Sequence, residues 1–96
     1  MSAKEFFVEG RVQGVGFRAF VQRAAVERRL SGWVRNLADG RVQAQVTGDP
    51  KALVEMERLL HQGPTGARVE SVCSRPCSEE PWDEFDVRPT VTDSGS

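Results

Sequence analysis

Ninety-six residues at 39% hydrophobic and 28% charged make one globular domain, with enough chain for a single two-layer core and too little for a second. A net charge of −1 argues against general electrostatic capture of nucleic acid or an anionic membrane. No apolar run nears the roughly 20 residues of a membrane span. Met1-Ser2-Ala3-Lys4 has no signal-peptide core behind it, so the cytoplasm is the expected compartment.

In chain order, Phe6 to Val12 reads as a first strand with an apolar start, Val8, Gly10 and Val12 sharing one face. A turn with two glycines, Gln13-Gly14-Val15-Gly16, follows. Phe17, Phe20, Val21, Ala24, Ala25 and Leu30 then recur at helical spacing, while Arg23, Glu27, Arg28 and Arg29 face water. Ser31-Gly32 is expected to end that helix. Trp33 to Leu37 is a second strand, Asp39-Gly40 a tight hairpin, and Arg41 to Val46 a third strand whose alternation predicts one wet and one dry face. Asp49 and Pro50 supply the N-cap and first position of a second helix. Its buried stripe is Leu53, Met56, Leu59 and Leu60, and Gly63-Pro64 stops it. Ala67 to about Cys77 holds a fourth strand, Phe85-Asp86-Val87 a short last one, and residues 89–96 a polar tail expected to be flexible. Trp33 and Trp82 are read as packing residues, and His61 as a partner for the negative end of the second helix.

Strand, helix, hairpin, helix, strand is an α+β order. With right-handed crossovers it gives a ferredoxin-like βαββαβ sandwich, an antiparallel sheet of four or five strands with two helices on one face. The first and third strands lie centrally, and the first delivers its glycine turn to one end of the sheet.

That turn is the candidate site. Gly14 and Gly16 permit positive φ and close approach of a ligand, and free N–H groups at a helix start favour an anion. Arg18 stands in the first helical turn, where its five-donor fork can close over the same spot. Residues 1–36 carry Lys4 and six arginines against Glu5, Glu9 and Glu27, a balance of +4, whereas residues 37–96 balance at −5. The pattern fits one phosphate-like dianion. Asn36 is a second candidate, an amide out of place in a strand by propensity, able to hold a water but not to take its proton. Arg35 beside it points the other way.

Other chemistries fit less well. Gly14-Val15-Gly16-Phe17-Arg18-Ala19 has the form of a dinucleotide fingerprint with Asp39 downstream, but Asp39 sits in a hairpin and the sheet is not a parallel βαβ one. Cys73 and Cys77, a C-x3-C pair with His61 far off, do not make a zinc site and are read as reduced thiols. No cofactor or metal is expected. The loop holds no His, Cys, Ser or carboxylate. Cleaving a phosphomonoester normally calls for a general acid or a metal, whereas an acyl phosphate expels a carboxylate that needs no proton. The parts present suit an activated phosphate.

Val12-Gln13-Gly14-Val15-Gly16-Phe17-Arg18, then Gly32-Trp33-Val34-Arg35-Asn36 with Asp39-Gly40 after it, resembles the acylphosphatase family, with looser echoes in Gly63-Pro64, Ala67-Arg68-Val69, Val72 and Phe85. The resemblance spans roughly Lys4 to Arg88. It implies one ferredoxin-like domain that hydrolyses the carboxyl–phosphate bond without metal, with an acyl phosphate as substrate and inorganic phosphate as product; a monomer is the default expectation. It further implies that Gln13, Gly14, Val15, Gly16 and Phe17 cradle the phosphate, that Arg18 clamps it, and that Asn36 positions the nucleophilic water. Two other classes share features with this chain. One is the front domain of carbamoyltransferase-type maturation enzymes. The other is the RNA-recognition plait, which stacks bases on central-strand aromatics that Val42 to Val46 do not offer.

Overall fold

In the computed structural model, which describes residues 1–78 and 83–91, seven elements follow in order. They are β1 (Ser2–Arg11), α1 (Phe17–Glu27), β2 (Ser31–Asn36), β3 (Val42–Gly48), α2 (Pro50–Gln62), β4 (Arg68–Pro76) and β5 (Phe85–Val87). The strands form one sheet in the order β4-β1-β3-β2-β5. Phe6 and Val8 from β1, Val34 from β2, and Val42, Ala44 and Val46 from β3 meet Phe17, Val21, Ala24 and Ala25 of α1 and Leu53, Met56 and Leu60 of α2. This is the core of the βαββαβ plan, and strand alternation supplies it directly.

The sheet is mixed, not purely antiparallel: β5 runs parallel to β2, with Val34 opposite Val87. The cause is where the chain stands when it leaves β4. β4 is antiparallel to β1 and ends opposite Lys4, at the end of the sheet where β2 also begins. A strand added at the far edge from there must run the way β2 runs.

Two boundaries differ most from the sequence reading, while β3 is displaced by one or two residues, to Val42–Gly48. β1 starts at Ser2 rather than Phe6, because the polar residues Lys4 and Glu5 are both used: Lys4 pairs with Glu57 of α2 at 3.6 Å, and Glu5 is held on the opposite face. α1 ends at Glu27, not at Ser31-Gly32. Arg29 adopts φ 57° and the Leu30 amide donates back to the Ala25 carbonyl at 2.9 Å, a left-handed close made without glycine. Ser31 and Gly32 thus belong to β2. Within β1 the pairing slips between Glu9 and Gly10, and a Cβ on Gly10 (φ 128°) would lie 2.1 Å from the Arg68 carbonyl oxygen.

The face of the sheet away from the helices is not wet along β3. Gln43 and Thr47 are buried there. Arg35 Nε donates to Gln43 Oε1 at 2.8 Å, and Gln43 Nε2 donates to Glu5 Oε2 at 2.8 Å. Arg75 closes on the other carboxylate oxygen of Glu5 at 2.6 Å. Trp33 is buried on this face, with the guanidinium carbons of Arg35 and Arg88 each 4.7 Å from its ring centre. Trp82, and the part of the expected tail after Val91, lie outside the described residues.

Candidate active site

β1 ends at Arg11 and α1 begins at Phe17, leaving the glycine turn at the end of the sheet where β2 also terminates. Gly14 (φ 74°) and Gly16 (φ 78°) both occupy left-handed backbone, and a Cβ at either would meet nothing within 4 Å. Glycine is therefore required by the torsion, not by crowding, and the turn is open on that side.

Gly16 is also the N-cap of α1. It offers no side chain to the first-turn N–H groups, and no acidic residue stands in that turn. α2 is capped conventionally, Asp49 accepting from the Lys51 amide at 2.8 Å. The first N–H groups of a helix have no acceptor within it, so the uncapped α1 presents donors and the positive end of its dipole to whatever lies before it.

A cavity of about 250 Å³ opens there, lined by Val12, Gly14, Gly16, Phe17, Arg18, Ala19, Asn36 and Val87. Arg18 brings the charged side chain of that lining. Its Nη1 donates to the Arg88 carbonyl at 2.9 Å, which fixes the guanidinium at the cavity edge and leaves its other donors for a ligand. Asn36, at the end of β2, is 9% exposed, and its Oδ1 is shielded from solvent without a hydrogen-bond partner. Leaving such an acceptor unpaired costs about 1–3 kcal/mol. Its main chain is held on the far side, the carbonyl accepting from Val91 N at 2.9 Å.

Of the residues expected in the site, Gly14, Gly16, Phe17, Arg18 and Asn36 thus come together round one space. The side chains of Gln13 and Val15 turn elsewhere. Gln13 Nε2 donates to the carbonyls of Leu37 (2.8 Å) and Arg41 (3.0 Å), and Val15 packs on the core. Sequence reasoning missed Val12, Ala19, Val87 and the Arg88 carbonyl. Spacing along α1 held the one usable hint: Arg18 and Gln22, a turn apart, face the same way, and both donate to β5 or the residue after it.

Comparison with known proteins agrees with this architecture. The sequence model described as Acylphosphatase matches residues 4–87. A protein named acylphosphatase from Synechococcus sp. (strain WH7803) is 49% identical over 85 residues, covering 86% of this chain and 83% of its own length. The crystal structure of acylphosphatase from Bacillus subtilis superposes with a TM-score of 0.89 at 37% identity, over 92% of this chain and 99% of that one. The structure of full-length HypF in its phosphate- and nucleotide-bound form superposes at 0.90 with 26% identity, over 97% of this chain but 12% of that protein. Family match, relatives and fold agree: the chain belongs to the acylphosphatase family, enzymes that hydrolyse acyl phosphates.

Proposed function

We propose that this chain cleaves the carboxyl–phosphate bond with its main-chain donors, Arg18 and Asn36, and without a metal. The observation that carries the reading is that Asn36, Arg18 and the uncapped start of α1 share one cavity. The phosphate dianion lies in the turn from Gln13 to Phe17, against N–H groups of the loop and helix start, with Arg18 over its outer oxygens. Gln13 and Val15 contribute main chain there, since their side chains are occupied elsewhere.

The Asn36 side-chain amide, at the same cavity, hydrogen-bonds the attacking water and turns a lone pair of that water toward phosphorus, in line with the departing carboxylate. The transition state is loose and spreads negative charge over the equatorial oxygens, where fixed donors act most strongly. The P–O bond to the acyl group breaks with its electron pair on the carboxylate. The water forms the new P–O bond, and its proton passes to a phosphoryl oxygen of the product. No side chain need exchange a proton, which suits an amide.

Among the described residues no group of three His, Cys, Asp or Glu is placed to hold a metal. The site draws on the turn between β1 and α1, on α1, β2 and β5, all of a single chain, which is consistent with a working monomer. Phosphate release from benzoyl phosphate, set beside release from p-nitrophenyl phosphate, tests the reading. Turnover of the first and not the second is expected, and equal rates would overturn it.

A further inference from the structure

The cavity has an apolar side that the phosphate chemistry does not use. Among the described residues the large hydrophobic side chains left exposed are Met1, Val26, Val54 and Val87, and of these Val87, 41% exposed, lines the cavity. Its position follows from strand alternation. Phe85, two residues earlier, is buried in the core, so Val87 stands on the same, helix-facing side of β5. Asp86 between them faces the other way.

A three-residue strand at the sheet edge is held by few bonds of its own, yet Val87 is fixed on both flanks. Gln22 Nε2 donates to the Phe85 carbonyl at 3.0 Å, and Arg18 Nη1 donates to the Arg88 carbonyl at 2.9 Å. The residue that reaches for phosphate therefore also sets where the valine sits.

We propose that Val87, with Ala19 beside it, forms the subsite for the acyl group, and that it selects acyl phosphates whose acyl part is uncharged and apolar. The subsite rests on the hydrolysis proposed above. With the dianion in the glycine turn, the carboxyl end projects toward the cavity mouth. The lining there offers a valine and an alanine, and Arg18 is occupied by the phosphate. A second carboxylate on the acyl group would lose water without gaining a partner, whereas an aromatic or aliphatic group would cover the exposed face of Val87.

The test compares kcat/KM for benzoyl phosphate and acetyl phosphate in the wild type, Val87→Ala and Val87→Ile. The benzoyl-to-acetyl ratio is expected to fall about three- to tenfold in Val87→Ala and to hold in Val87→Ile, with inorganic phosphate competing as before. A ratio unmoved by Val87→Ala, or equal losses on both substrates with weakened phosphate competition, would overturn the subsite. Wild-type protein inactive on both substrates would overturn the reaction itself, a distinct outcome from the other two.

Discussion

Gln13 Nε2 lies 2.8 Å from the carbonyl oxygen of Leu37 and 3.0 Å from that of Arg41, so one side chain of the glycine turn ties down both arms of the hairpin that follows Asn36. Loop and amide are thereby held in one frame. Gln13→Leu removes both of these hydrogen bonds and leaves the Leu37 and Arg41 carbonyls with only their bonds from the Gly40 and Leu37 amides. A stability loss of about 1–2 kcal/mol is expected in urea melts. The fall in kcat for benzoyl phosphate should exceed the rise in KM, because the displaced group is Asn36. A KM effect alone would show that the loop, not the hairpin, is what moves.

Arg18→Ala should lower kcat/KM for acyl phosphates by about 100- to 1,000-fold, the usual cost of removing one donor to developing charge. Competition by inorganic phosphate should weaken with it. Arg18→Lys is expected to recover little, since an ammonium cannot at once reach the Arg88 carbonyl and present a planar fork. Near wild-type turnover in Arg18→Ala would remove Arg18 from the mechanism, and in Arg18→Lys it would show that a charge without the planar fork suffices.

For Asn36→Ala the expected signature is opposite in kind. Turnover drops while phosphate competition stays close to wild type. Thermal stability does not fall, because the substitution deletes a buried acceptor that no protein group satisfies. Parallel losses of turnover and phosphate affinity would mean that the amide binds substrate instead of aiming water.

Chelation offers a check on the whole scheme. EDTA treatment followed by assay should leave the rate unchanged. A rate abolished by chelator and restored by a divalent cation would mean that a metal, not Asn36, prepares the attacking water.

Glu5 contributes to the acid limb of stability. Burial alone would raise its pKa, but hydrogen bonds from Arg75, Gln45 and Gln43, with the Arg75 charge, outweigh that and leave it below its ordinary 4.5. A carboxylate with a lowered folded pKa stabilises the protein fully above the unfolded value. That contribution is lost as pH falls below about 4.5 and on through the folded value. Urea midpoints measured from pH 7 downward should therefore fall more steeply for the wild type than for Glu5→Gln. Coincident curves would show that the pair with Arg75 adds nothing.

Much of the fold is legible because each element carries its own local signal. Asp49 and Pro50 mark the start of α2, and β3 alternates without a break. The turn and Arg18 are legible for the same reason, being contiguous. What is not legible is tertiary. Nothing near Val87 says that it returns beside residue 18, and the direction of β5 depends on where β4 happens to end. No local pattern marks Glu5 for burial, because its partners lie 38 and 70 positions away. Sequence adjacency puts the glutamine of the turn with the ligand, whereas its side chain serves the hairpin.

Arg18 leans on a carbonyl 70 positions further along the chain. A ribosome will have released the glycine turn, the first helix and Asn36 long before that support exists, so a nascent or clipped chain ending short of Phe85 carries the chemistry's parts without their alignment. Turnover in this protein should therefore appear last during refolding, and its first burst would time the docking of the outermost strand.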